Sequence, residues 1–153
     1  MKRILIDSDV CLDHLFERPD HAQMALAVFD WLDKGAFSAC VCAVSLTTVH
    51  YIVRKERDKS TALAAVDSLL VLVDVCAVDR NVLELARSLG FKDYEDAVQC
   101  ASAVAEGLDA IVTRNVKDFA NSPLTVYSPT EFVKLLQSNE ASRMRELPIL
   151  VRV

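Results

Sequence analysis

The stretch DYEDAVQCASAVAEGLDAIVTRNVKDF, residues 93–119, sets the architecture. Asp93 stands where a helix N-cap belongs, and Ala97, Val98, Ala101 and Val104 then recur at the spacing of one helix face, with Gly107 near the end. DAIVT follows as a short apolar run bounded by polar residues, which suits a strand buried on both faces. It opens into Thr113, Arg114, Asn115 and Asp118. A helix feeding a buried strand, with polar and acidic residues just beyond it, is a unit of an α/β protein, where ligands collect at the carboxyl edge of a parallel sheet.

The same unit repeats outward from this stretch. Towards the N-terminus, RILI stopped by Asp7 reads as a first strand, and a helix from about Asp9 would bury Val10, Leu12 and Leu15. Asp20 to Lys34 carries Met24, Ala27, Val28, Trp31 and Leu32 at helical spacing and stops at Gly35. FSACVCAV (37–44) suits a second strand, with helices over Ser45–Arg57 and Ser60–Leu70 after it. VLVDVCAV (71–78) reads as a third strand, and Asp79 opens a helix towards Leu89 and Gly90. Beyond the opening stretch, LTVYS (124–128) is a short fifth strand, and Pro129 with Thr130 begins a last helix through Leu136. Alternating strands and helices predict a parallel sheet covered on both faces. We expect one domain over residues 1–138 and a C-terminal segment, 139–153, whose PILVRV end is either a tail or an extra strand pairing with a partner chain.

Composition narrows the classes. At 153 residues and 52% hydrophobic content, the chain is long enough to bury a sizeable core, and its few glycines and prolines argue against disorder. No apolar stretch is long enough to span a bilayer and no signal-peptide pattern opens the chain, so a cytoplasmic protein is expected. The five cysteines, Cys11, Cys40, Cys42, Cys76 and Cys100, sit inside apolar segments rather than at paired-ligand spacings and read as reduced core residues. A net charge of −5 does not favour wrapping nucleic acid, although Arg54, Lys55, Arg57 and Lys59 cluster locally and Arg114 and Lys117 sit inside the third acidic segment. Such basic runs are either solvated helix faces or a track for a substrate backbone.

Acids recur beside apolar segments three times, in ILIDSDV (4–10), KDYEDAVQCASA (92–103) and AIVTRNVKDF (110–119), so Asp7, Asp96 and Asp118 are candidates for one constellation. Each has a local alternative. Asp7 and Asp9 would open a helix, Asp93 and Asp96 would form a capping box, and Thr113 to Asp118 would be a polar turn. Three such accidents would not ordinarily all fall at strand ends. Carboxylates gathered there repel unless a cation shares them or one is protonated, which points to a divalent metal and phosphate chemistry. His50 reads as a packing histidine, and His14 and His21 as surface residues.

ILIDSDVCLD, CAVSLTTVHYIVRK, DYEDAVQCASAVAEGLDAIVTRNVKDF and SPTEF together resemble the PIN-domain family, in particular bacterial members of the VapC-toxin type, over nearly the whole chain to about Ser138. The resemblance implies a three-layer, Rossmann-like α/β/α domain with a mainly parallel sheet. It further implies a Mg2+- or Mn2+-dependent endoribonuclease that cleaves RNA phosphodiesters with a metal-activated water, in many bacteria as the toxin of a toxin–antitoxin pair. By motif, Asp7, Asp96 and Asp118 match family acids, Asn115 a polar position beside the last, and Thr113 the hydroxyl position before it. Two positions depart from the pattern. Asp9 stands where the family usually has Asn, and Thr48 where it has an acid, so Asp9 or Asp93 would have to restore the charge. In the metal reading Thr113 and Asn115 orient phosphate or water, and Arg114, Lys117, Arg54 and Lys55 are candidate RNA contacts.

Two other classes remain open on the sequence. A PIN-like module that binds RNA or protein without cutting is favoured by Thr48 and the acidic net charge. A phosphotransferase with an Asp nucleophile is suggested by the DxD in ILIDSDV, but Leu12 stands near where that class needs Thr, and DYEDA goes unexplained. Apolar surface on the early helices and PILVRV would support a homodimer or an antitoxin partner.

Overall fold

The computed structural model describes residues 1–147. Five strands, β1 (Arg3–Ile6), β2 (Ser38–Cys42), β3 (Asp74–Cys76), β4 (Ala110–Val112) and β5 (Thr125–Tyr127), form one sheet in the order β3-β2-β1-β4-β5, with every pair parallel. Among the described residues, seven helices connect and cover them: α1 (Ser8–Phe16), α2 (Ala22–Asp33), α3 (Ala43–Glu56), α4 (Lys59–Leu72), α5 (Arg80–Ser88), α6 (Tyr94–Ala105) and α7 (Pro129–Glu146). The expected α/β/α layering is what the chain forms.

Strand side chains alternate between faces, and the core divides accordingly. Ile4 and Ile6 of β1 pack with Val10 of α1, Val28 of α2, Val49 of α3, Leu69 of α4 and Phe132 of α7. Leu5, between them, packs with Val82 of α5 and Ala97, Val98 and Ala101 of α6. All five cysteines are free and buried.

The chain leaves β1 for β2 and β3 on one side and returns to β4 and β5 on the other. Strand order therefore reverses between β1 and β4, and the crevice beyond their carboxyl ends is the binding position that this topology favours. The return into β4 depends on Gly107, whose φ of 69° closes α6 while Leu108 N–H reaches back to the Ala103 carbonyl.

Two boundaries differ from expectation. Val71 and Leu72 end α4 instead of starting β3, because an apolar run of that length fits either element and the Asp58 cap has already started a helix there. The last helix continues ten residues past Leu136, across Ser138, to Glu146. Its core contacts end at Leu136, and residues 137–147 are exposed, with Asn139, Arg143 and Met144 lining a cleft whose other wall includes Trp31 and Lys34. PILVRV lies outside the described residues. Among those described, no helix is long and apolar enough to cross a membrane.

Candidate functional site

Asp7 follows β1 directly, and its N–H donates to the carbonyl of Val112 in β4 at 3.0 Å, so the sheet itself fixes its position. Its side chain is 3% exposed. Both carboxylate oxygens take donors: Gln99 Nε2 at 2.9 Å and Ser8 Oγ at 3.3 Å on Oδ1, and Thr113 Oγ1 at 2.7 Å on Oδ2. Gln99 is oriented in turn by Ser45 Oγ, which donates to its Oε1 at 3.0 Å. Residues from α1, α6 and the end of β4 thus meet on one buried carboxylate, with α3 joined to it through Gln99.

The turn after β4 extends this network. Asn115 N–H donates to Thr113 Oγ1 at 3.0 Å, and Asn115 Nδ2 donates to Asp9 Oδ2 at 2.9 Å. Thr113, buried, and Asn115, exposed, are therefore both tied to the acids. Asp9 Oδ1 is buried and has no hydrogen-bond partner among the described residues. Burial, then the neighbouring charge of Asp7, pushes Asp9 up to about 7, partly opposed by the charge and backbone N–H of Arg114.

On α6, Asp93 caps the helix by accepting the Asp96 N–H at 2.9 Å, which is the local role the spacing suggested. Asp96 is left half-buried above the strand ends. Burial comes first in pushing it up to about 7, followed by the charges of Asp7, Asp93, Asp118 and Glu95. Asp118 lies in a short 3-10 turn, Val116–Phe119, held by its N–H to the Asn115 carbonyl. Asp7, Asp96 and Asp118 are brought close enough for their charges to be felt together.

The donors suit a hard divalent cation, being carboxylates crowded at one edge with one buried oxygen left without a partner. Among the described residues, however, no three His, Cys, Asp or Glu side chains already converge closely enough to hold an ion. The residues fit Mg2+ or Mn2+ as an unbalanced cleft rather than as a closed cage.

The basic candidates fare differently. Arg114 Nε and Nη2 reach Asp13 Oδ2 and Oδ1 at 2.9 and 3.2 Å, which anchors the turn to α1, while the side chain stays 31% exposed. Lys117 is exposed on the 3-10 turn. Arg54 and Lys55 are exposed in the last turn of α3, well beyond Thr48. His14 and His21 are half-buried rather than surface residues: His14 stacks on Phe29 at 4.6 Å, and His21 Nε2 lies 3.5 Å from Arg114 Nη1.

Gln99, Ser45, Glu95 and Asp13 were missed in the sequence. A fully buried Gln on the small-residue face of α6 was the available signal for the first, since such a group must have a partner.

A pH effect follows from Asp96. Its folded-state pKa is raised from the ordinary 3.8 to about 7, so the folded protein binds this proton more tightly than the unfolded chain does. The contribution is favourable below the ordinary value and is lost as pH rises through about 7. Urea midpoints of the metal-free protein, compared with Asp96→Asn at each pH, should show wild type losing ground to the variant between about pH 4 and 7. A constant difference across that range would contradict the crowding of carboxylates.

A family model described as PIN domain matches residues 3–117, ending one residue short of Asp118. Solved structures share the fold at low identity. VapBC2 from Rickettsia felis bound to a promoter DNA fragment aligns with a TM-score of 0.66 and 17% identity, over 82% of this chain and 98% of that one. A toxin–antitoxin complex from Klebsiella pneumoniae aligns with a TM-score of 0.60 and 23% identity, over 82% and 97%. The VapC20 toxin of Mycobacterium tuberculosis, described as cleaving the sarcin-ricin loop, gives 0.58 and 16%, over 71% and 86%. Among curated protein sequences none matches. The match over residues 3–117 of 153, on a parallel sheet whose switch point carries Asp7 and Thr113, shows that the chain belongs to the PIN-domain family.

Proposed function

We propose that this protein is a metal-dependent endoribonuclease and the toxin of a toxin–antitoxin pair, acting in the cytoplasm. The observation that carries the reading is Asp7: a buried carboxylate at the topological switch point, held by three donors, with Asp9, Asp96 and Asp118 around it. A bound Mg2+ or Mn2+ would offset the charge of the reacting phosphate and activate a water. Asp7, Asp96 and Asp118 would hold it, with Asp9 as a further ligand. Thr113, Ser8 and Gln99 orient Asp7, and Asn115 orients Asp9, so these two carboxylates are preset before a cation or substrate arrives. Lys117, exposed beside Asp118, is the basic group best placed for an RNA phosphate.

RNA as substrate and an antitoxin as partner rest on family membership and on similar folds found in toxin–antitoxin complexes. A homodimer is favoured by apolar surface, which lies on α4 and β3, where Leu70, Val71, Leu72 and Val75 are exposed. The nucleophilic-aspartate reading is disfavoured because donors occupy both oxygens of Asp7.

A non-cutting RNA- or protein-binding module is the second reading, favoured by Thr48 in place of an acid. A panel of labelled single-stranded and structured RNAs, incubated with pure protein and Mg2+, Mn2+ or EDTA, separates the two. We expect cutting with metal and none with EDTA. Retained binding without cutting in either metal would favour the module.

A further inference from the structure

Thr48 on α3 and Glu95 on α6 come from segments 47 residues apart, and Thr48 Oγ1 donates to Glu95 Oε1 at 3.0 Å. We propose that Glu95 is a further acidic ligand of the site, supplying from α6 the carboxylate that α3 lacks at position 48. The inference rests on the metal-site reading above.

Glu95 lies one helical turn before Gln99 on α6, and Thr48 one turn after Ser45 on α3, so the Thr48–Glu95 pair continues the α3–α6 seam on which Ser45 orients Gln99 and Gln99 reaches Asp7. The hydrogen bond from Thr48 occupies one oxygen of Glu95 and aims the side chain towards α3 instead of leaving it loose in the first turn of α6. Both residues are half-buried, which separates the contact from ordinary surface pairing. The rival acids are placed elsewhere. Asp93 is exposed and spends Oδ1 on the helix cap, while Asp9 is held by Asn115 and feels Asp7, Arg114 and Asp13 rather than the acids of α6. Among the described residues, Glu95 is the acid that hydrogen-bonds Thr48. A glutamate has two more rotatable bonds than the threonine it meets, so a carboxylate rooted on α6 can lie beside α3 without moving either backbone.

A purely structural role is the competing account. An acid in the first turn of a helix favours the macrodipole, and a Thr–Glu bond would simply tie α3 to α6. The two accounts differ in metal affinity. Mn2+ binding to the full chain, measured by calorimetry and by the loss of the free-ion electron paramagnetic resonance signal, would be compared for wild type, Asp7→Asn, Glu95→Gln and the double variant Thr48→Glu/Glu95→Gln. Each variant is first shown to be folded by its melting curve in EDTA. We expect Glu95→Gln to weaken binding by about tenfold or more, no less than removal of an outer-shell partner does, and the double variant to recover most of that loss by returning the carboxylate to α3. Asp7→Asn reports on the site as a whole. If it abolishes Mn2+ binding while Glu95→Gln leaves affinity unchanged, Glu95 is structural and the proposal is overturned with the site intact. If Glu95→Gln weakens binding but the double variant recovers nothing, the equivalence with position 48 is overturned. Should Asp7→Asn also bind normally, the metal-site reading itself fails.

Discussion

Asp7→Asn is expected to abolish metal-dependent RNA cleavage, a loss of about 10^2- to 10^4-fold, while leaving the protein folded. The size follows from the several kcal/mol of charge stabilisation that a correctly held cation contributes to phosphoryl transfer, at about 1.4 kcal/mol per decade of rate. The fold should tolerate the change because asparagine keeps the shape of the side chain. Its oxygen can still accept from Gln99, and the Thr113 hydroxyl can turn to accept from the new amide, at a cost of about 1 kcal/mol in weakened hydrogen bonds. Part of that cost is returned. The negative charge of Asp7 raises the pKa of both Asp9 and Asp96, and its removal should bring both carboxyls down towards their ordinary range. Cleavage rates, melting temperature and the pH titration of stability should therefore part company: the first collapses, the second barely moves, and the third shifts. A variant that cuts RNA at a normal rate would exclude Asp7 as a ligand. One that does not fold would mean that its role at the β1–β4 junction is structural first.

How much of this was legible beforehand depended on whether the signal was local. Strand β1, the Asp93 cap of α6 and the polar turn after β4 each declare themselves within a few residues, through apolar runs and capping residues, and all three stand where the sequence put them. Asp7, Asp96 and Asp118 were readable for the same reason, since a carboxylate at a strand end needs only its own segment to be noticed. What the sequence hid were pairings across the chain. Gln99 reaches Asp7 over 92 positions and Glu95 reaches Thr48 over 47, and no periodicity links them. Arg114 shows this most plainly: its place beside Asn115 and Lys117 suggests a phosphate contact, but no local signal declares that its guanidinium closes on an acid 101 positions away. The end of α7 was misjudged for a different reason. Its core-facing residues stop at Leu136, but the exposed polar residues beyond are adequate helix formers and carry the helix on.

The pairing of Arg114 with Asp13 leads to the largest expected effect on stability. Asp13 is 2% exposed and accepts from Arg114 Nε and Nη2 and from Arg18 Nη1, while the two guanidiniums are 31% and 30% exposed. Truncating one partner of a fully buried pair costs about 3–5 kcal/mol, because the other charge is left desolvated. Here the arginines can still reach water, so Asp13→Ala should cost less, about 2–4 kcal/mol, or a fall in melting temperature of about 5–15 °C for a domain of this size. The loss should reach the site as well. Arg114 adjoins Thr113 and Asn115, which hold Asp7 and Asp9, so loosening it should reduce cleavage even though Asp13 touches neither acid. Replacing both partners, as in Asp13→Leu/Arg114→Met, removes the unpaired charge and should recover much of the stability but not the activity, because the turn then has packing without the bidentate geometry that orients it. Thermal melts and cleavage rates of wild type and the two variants decide the matter. A loss below about 1 kcal/mol in Asp13→Ala would place the pair with ordinary surface salt bridges and leave the β4 turn to be held by Thr113 and Asn115 alone.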